Sequence, residues 1–343
     1  MKRRIDPLFV GSYDYDLPKE LIASKPIYPK DEAKLLVYDR KNKKTTHSVF
    51  KYIDDFLPKD TAIVFNDTKV IKARIYGKKE SGGKTELLFN SPLDNNSSLV
   101  YIRGKVKIST RLYFDKGLEA EVTKLNEDGT RIVKFFQNGC EIGFDQLVKI
   151  MDKIGHVPLP PYIKREDNKD DERDYQTLFA KKEGAVAAPT ASLHFTKELL
   201  ENLEKTHPFY FVTLHVGAGT FKPVEVSNIE EHKMHSEYYD IPKKTQELLS
   251  SKQEILAVGT TVTRTVEYFV REKKPLGESN LFLHPLNRPK RVNHLLTNFH
   301  LPKSTLLMLV ASFVGIEKTL ELYKIAVEKK YNFFSYGDAM LIL

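Results

Sequence analysis

The chain has 343 residues, of which 41% are hydrophobic and 29% charged, and its formal charge is +8 at neutral pH. That composition excludes a disordered chain, and the length allows about two domains whose cores need no disulfide or structural metal. The single cysteine, Cys140, excludes an intrachain disulfide framework and any cysteine-based zinc site, and it points to a reducing, cytoplasmic setting. The basic excess fits a polyanionic partner.

Met1-Lys2-Arg3-Arg4 opens like a signal peptide, but only Pro7–Val10 follows before Tyr13, Asp14 and Asp16, so no apolar core of ~7–15 residues exists. The longest apolar stretch, Leu306–Val314, falls far short of the ~20 residues of a membrane span. A soluble cytoplasmic protein without membrane contact is expected.

Lys34–Asp39 and Ala62–Asn66 are apolar runs of strand length. From about Val70 to Ile150 short strands follow one another: Ile71–Tyr76, Thr85–Phe89, Leu99–Ile102, Arg111–Phe114, Ala120–Leu125 and Arg131–Phe136. Ser81-Gly82-Gly83-Lys84 and Asn126-Glu127-Asp128-Gly129 punctuate them, which is the pattern of a small antiparallel barrel. Residues 69–150 hold 15 Lys/Arg and 10 Asp/Glu, an excess of +5. That makes the barrel a candidate phosphate-contacting surface, although lysines on exposed edge strands serve solubility equally well. The polar stretch Lys164–Asp174 reads as a solvated, mobile loop.

Beyond Thr190, strands and helices alternate. Helices are expected at Lys197–Lys205, after the Ser227-x-x-Glu230 capping pattern, and at Lys243–Ser251, Thr261–Glu272, Ser304–Val314 and Ile316–Lys329. Strands are expected at Phe209–His215, Ile255–Gly259 and Asn280–Leu283. The architecture is therefore α/β: a discontinuous domain of residues 1–68 and 151–343 with a mostly parallel sheet, and a barrel of residues 69–150 inserted into it.

Glycine, histidine and small polar residues crowd at the carboxyl ends of these strands, where open α/β sheets form ligand crevices. Thr213–Phe221 contains His215 and the pair Gly217 and Gly219, whose N–H groups can face an anion; a tight strand exit would give the same string. Gly184–Phe195, with Thr190 and His194, has little bulk and lets a flat ring lie on the backbone, as would a loop packed under a helix start. Glu231-His232-Lys233-Met234-His235-Ser236-Glu237 places two histidines at i and i+3, a metal pair if helical, but no His-Glu-x-x-His or third ligand accompanies them. A site offering imidazoles and carboxylates to a cationic substrate fits better. Ala257–Thr265 is a strand, a glycine turn and a helix start, where free N–H groups, Thr260, Thr261 and Arg264 favour a negative group. In Leu296–Thr305, Asn298, His300 and Lys303 precede an apolar helix without a packing reason. Val64–Arg74 leads from a strand into the barrel, and Phe333–Met340 makes an ordered, docked C-terminus.

Together these strings resemble the S-adenosylmethionine:tRNA ribosyltransferase-isomerase family of queuosine biosynthesis. The resemblance runs from Asp14–Pro18 to Tyr336–Met340 through Phe65–Thr68, Gly155–Ile163, Ala187–Ala191, Leu214–Phe221, Glu231–Glu237, Val258–Thr261 and Thr297–Leu307. It departs at Asp31–Lys34, where the family typically carries Ser-Arg, and at Pro285–Arg288. The resemblance implies an α/β domain with a barrel insert. It also implies transfer and isomerisation of the ribosyl part of S-adenosylmethionine onto the 7-aminomethyl-7-deazaguanine base at the tRNA wobble position, with adenine and methionine released. S-adenosylmethionine would be a co-substrate beside no true cofactor, tRNA the partner, and the chain a monomer.

On that chemistry a base at the 5′ carbon and a donor for adenine are needed, and His215, His235, His194, His232 and Glu231 are the candidates. Gly217, Gly219, Thr190, Thr260, Thr261, Arg264 and Glu237 are expected to hold S-adenosylmethionine, and Asn66, Asp67, Arg74, Asn298, His300 and Lys303 to meet tRNA. Two other readings stand beside it: a non-catalytic tRNA-binding module using the barrel, and a metal-dependent hydrolase using His232 and His235.

Overall fold

The computed structural model describes residues 5–94, 96–221 and 224–343; the basic opening Met1–Arg4 lies outside them. The chain begins with β1 (Lys34–Asp39), β2 (Lys44–Val49), β3 (Ala62–Asn66) and β4 (Thr68–Val70). The barrel strands are β5 (Arg74–Lys79), β6 (Lys84–Pro92), β7 (Ser97–Arg103), β8 (Arg111–Phe114), β9 (Leu118–Leu125) and β10 (Arg131–Gln137), with β11 (Cys140–Ile142) as a hairpin on β10. Then come α1 (Phe144–Ile154), α2 (Lys169–Asp174), β12 (Lys182–Ala185), α3 (Lys197–Leu203), β13 (Phe209–Leu214), β14 (Glu237–Asp240) and α4 (Lys243–Ser250). The chain finishes with β15 (Ile255–Val258), α5 (Thr260–Glu272), β16 (Leu276–Ser279), β17 (His294–Asn298), α6 (Thr305–Val314), α7 (Ile316–Glu328) and β18 (Ala339–Ile342).

Nine strands form the main sheet in the order β16-β14-β13-β3-β15-β17-β18-β1-β2. Strands β13, β3, β15 and β17 run parallel at its centre, whereas β14, β16, β18 and β2 bring antiparallel pairings. The sheet is thus mixed, with its parallel character concentrated in the middle. The apolar run of β3 is buried along its whole length because both faces are covered. Alternation sends Ala62 and Val64 into one core cluster with α4 to α7, and Ile63 and Phe65 into another with α3, Phe50 and Phe195.

The six barrel strands close on themselves through the β9–β10 pairing. Leu118, Ala120 and Val122 of β9 point inward while Glu119 and Glu121 point out, the period of two that the sequence carried. Helix α1 adds Leu147, Val148, Ile150 and Met151 to the same core.

Four expectations are corrected. Strand β5 starts at Arg74 rather than Ile71, because Ile71 bonds to Ala185 and the chain kinks through Ala73 before pairing with β6. The Ser227-x-x-Glu230 pattern gives only a single 3₁₀ turn, Ile229–Glu231, capped by Asn228. No apolar stripe follows Ile229, so nothing extends the turn. The third of the expected late strands lies at Leu276–Ser279, ahead of the apolar Asn280–Leu283, because pairing with β14 decides it. The stretch Lys164–Asp174 is docked rather than loose. Asn168 and Asp171 form a capping box at α2, and Asp171, buried, takes both guanidinium nitrogens of Arg165 at 2.6 and 2.7 Å. No helix among the described residues is long and apolar enough to cross a membrane.

Candidate active site

The carboxyl ends of β13, β15 and β17 open onto a crevice of about 540 Å³. Segments far apart in sequence line it: Pro161 with Tyr162 and Tyr175, Ala187–Ala191, Val216 with Thr220 and Val224, Gly259–Thr261, Thr297–Leu306 and Phe334–Ser335. The size lies within the ~300–1000 Å³ usual for small-molecule sites.

Two helix starts face this space. Gly259 turns the chain at φ +95°, a conformation open to glycine, and so brings the free N–H groups of Thr260 and Thr261 to the wall. Helix α6 begins at the other side, where Ser304 accepts from the Leu307 N–H. Both positive ends favour an anionic group. Opposite them Tyr162 and Phe334 stack at 4.3 Å, and the Tyr162 hydroxyl bonds to Ser335.

Of the expected site residues, Thr190, Thr260, Thr261, Asn298, His300 and Lys303 line the crevice. Thr190 donates to Asn298 Oδ1 at 2.9 Å, and Asn298 Nδ2 meets His194 Nε2 at 3.1 Å. His194 therefore stands one residue behind the wall. Burial pushes its pKa down to about 4, so the neutral ring accepts from Asn298. His300 meets Thr297 Oγ1 at 2.7 Å, and burial takes it down to about 3.

These two buried rings bind fewer protons than the unfolded chain below pH 6.5. Stability should therefore fall as the pH drops from 6.5 towards 4, by about 1.4 kcal/mol per pH unit for each histidine. A His300→Gln variant should show a shallower fall of the urea midpoint over that window; curves parallel to the wild type would refute the assignment.

Other expected residues lie behind or beside the crevice. Glu237, buried, accepts from Gly217 N–H at 3.1 Å and Thr220 Oγ1 at 3.3 Å and forms an ion pair with buried Arg264. Glu237 is committed to these protein partners, Arg264 is paired through one terminal nitrogen with its buried Nε left over, and the Gly217 N–H points to the Glu237 carboxylate instead of a ligand's anion. Burial lowers Arg264 to about 10, which leaves it charged at neutral pH. Barrel residue Asn90 accepts from Ala218 N–H at 2.8 Å, so the glycine loop is gripped from two sides.

Gly219 has no side chain because the ring of His235 fills that space; a Cβ would stand 2.6 Å from it. Exposed His235 thus sits beside the Thr220 rim. His215 pairs with Thr68 Oγ1 at 2.7 Å and stacks on Tyr238, and burial together with Lys182 takes it down to about 4. His232 lies edge-on to Phe282, and Glu231 is exposed. Residues 232–236 are not helical, so His232 and His235 share no helical face. Among the described residues no group of three His, Cys, Asp or Glu is placed to hold a metal.

The expected tRNA contacts of Asn66 and Asp67 are corrected. Both are buried: Asn66 ties β3 to Leu214 and Thr68, and Asp67 accepts from Thr213 Oγ1 at 2.6 Å. Arg74 is committed to Glu86 and to the Leu159 carbonyl. Lys303 stays half exposed on the rim, paired with Asp14 at 2.7 Å. The departures from the family pattern lie away from the crevice: Asp31 accepts from Thr196, and Asn287 and Arg288 hold Arg271.

Sequence reasoning missed Tyr162, Tyr175, Phe334, Ser335 and Asn90. Tyr162 and Phe334 lay inside recognised strings, whereas Asn90 carried no signal, being one polar residue near the end of a barrel strand.

Fold and site together define a ligand-binding α/β scaffold whose crevice sits at the ends of parallel strands, with a barrel inserted beside it. A family model described as "Queuosine biosynthesis protein" matches residues 10–342. The chain belongs to this family. It is 63% identical over 339 residues (99% of this chain, 100% of the relative) to the S-adenosylmethionine:tRNA ribosyltransferase-isomerase of a Nitratiruptor species. The enzyme of the same name from Sulfurimonas denitrificans is 61% identical over 98% of each chain. A crystal structure of S-adenosylmethionine tRNA ribosyltransferase from Thermotoga maritima is similar at a TM-score of 0.55 and 36% identity, covering 97% of this chain and 100% of that one.

Proposed function

We propose that the chain is an enzyme that transfers and isomerises the ribosyl moiety of S-adenosylmethionine onto the 7-aminomethyl-7-deazaguanine base at the tRNA wobble position. The product is epoxyqueuosine-tRNA, and adenine and methionine leave. The observation that carries this reading is the crevice itself, built jointly by segments that the sequence scatters from Pro161 to Ser335. It is amphipathic, as S-adenosylmethionine is. The helix starts at Thr260–Thr261 and Ser304 suit the methionine carboxylate. The Tyr162–Phe334 stack suits a flat purine. The Thr190 oxygen, whose proton points at Asn298, is an acceptor for an ammonium or hydroxyl group of the substrate.

Neutral His194 and His300 orient neighbours rather than donate protons at pH 7. Among the five candidate acids and bases, His235 beside the Thr220 rim is the imidazole we assign to proton transfer. S-adenosylmethionine acts as co-substrate, and tRNA is the partner.

With both substrates present, free adenine and methionine should appear in equal amounts and in step with modified tRNA. Salt-dependent tRNA binding without adenine release would reduce the protein to a binding module.

A further inference from the structure

We propose that the outer face of strands β5, β6 and β7 is the platform on which single-stranded tRNA loop bases stack; this rests on the reading of the chain as a tRNA-modifying enzyme. Register places Tyr76 beside Glu86 and Glu86 beside Arg103, with Lys78 opposite Lys84 one row further along. Period-two alternation turns these side chains outward while Ile75, Leu87 and Phe89 fill the barrel. Tyr76 is 48% exposed, and its ring meets His156 edge-on at 5.1 Å.

His156 is held from behind: Asp167 takes its Nδ1 at 2.9 Å, and its backbone pairs with that of Arg74 in both directions. It belongs to the Gly155–Ile163 string, which no role in the crevice absorbed at its start but which reaches the crevice at Pro161 and Tyr162. Six residues therefore lead from the exposed rings to the crevice wall. Lys78, Lys84 and Arg103 are exposed cations around Tyr76, with Glu86 as the carboxylate among them. The Arg103–Glu86 pair is long, at 3.7 Å, and the Arg103 side chain is 85% exposed, so a phosphate can displace it. A large flat ring with cations around it is how loop RNA is held: bases stack and phosphates pair. A protein partner would call for a broader apolar patch than this face offers.

The test compares wild type, Tyr76→Ala, Tyr76→Phe and Arg103→Ala for binding of a precursor-bearing anticodon stem-loop across a salt series. Tyr76→Ala should weaken binding about tenfold or more at constant salt slope, and Tyr76→Phe should restore it. Arg103→Ala should lower the salt slope by about one. Wild-type affinity in Tyr76→Ala overturns the platform, as does a change of oligomeric state without a change in RNA affinity, which would make this face a protein interface. If the wild type binds the stem-loop through Tyr76 yet releases no adenine from S-adenosylmethionine, the enzymatic reading fails while the platform stands.

Discussion

Alanine in place of Glu237 should cost about 3–5 kcal/mol of stability, one of the largest losses any single side chain here can cause. Its carboxylate answers three donors at once: Arg264, the Gly217 N–H and the Thr220 hydroxyl. Removing it leaves a buried guanidinium unpaired, which is far costlier than never having buried the pair. The double variant Glu237→Leu with Arg264→Leu separates the two effects. It should regain most of the stability, read from the urea midpoint, but not turnover, because the glycine loop, whose Val216 and Thr220 form a crevice wall, then keeps the Asn90 grip but loses the one on Gly217 and Thr220. Wild-type kcat/KM in the double variant would show that the loop needs no such grip.

Asn298→Leu should raise KM for S-adenosylmethionine about ten- to a hundredfold. Asn298 links the Thr190 hydroxyl to His194, and its loss leaves the buried His194 Nε2 without that partner, at a cost of about 1–3 kcal/mol. It also releases the Thr190 proton, so that the hydroxyl no longer presents a fixed acceptor. Thr190→Val should raise KM by a smaller factor of about ten, and Thr190→Ser should stay close to wild type. Steady-state kinetics of adenine release decide it; unchanged KM in both Thr190→Val and Asn298→Leu would remove this chain of bonds from substrate recognition.

The pattern of residues carried the architecture further than it carried roles. The fully apolar runs of β3 and β15 and the strict alternation in β9 announced a covered sheet and a barrel, because burial of one or both faces leaves a direct imprint on hydrophobic order. Composition likewise gathered Thr190, Thr260 and Asn298, small polar residues at strand ends, and they do line the crevice. It could not tell a ligand contact from a structural one. Asn66, Arg264 and Glu237 are polar or charged residues in equally suggestive strings, yet each meets a protein partner that lies tens or hundreds of positions away. Asp171 shows the converse. Eleven polar residues in a row read as solvent-facing, but an arginine six positions back and a capping asparagine let one carboxylate turn inward. Pairwise satisfaction between distant residues is three-dimensional information, and hydropathy along the chain does not record it.

The position of β18 has a bearing on biogenesis. This strand, residues 339–342, lies between β17 and β1, third from one edge of the main sheet, and Phe334 and Ser335 just before it finish the crevice. While the ribosome is still adding those residues, β1 lacks its inner neighbour and the pocket lacks a wall. The barrel, whose strands are complete some two hundred codons earlier, is free to fold first. A nascent chain therefore completes its barrel before it completes the crevice, and premature termination anywhere in the final helix would yield a product without β18 and without the Phe334–Ser335 wall.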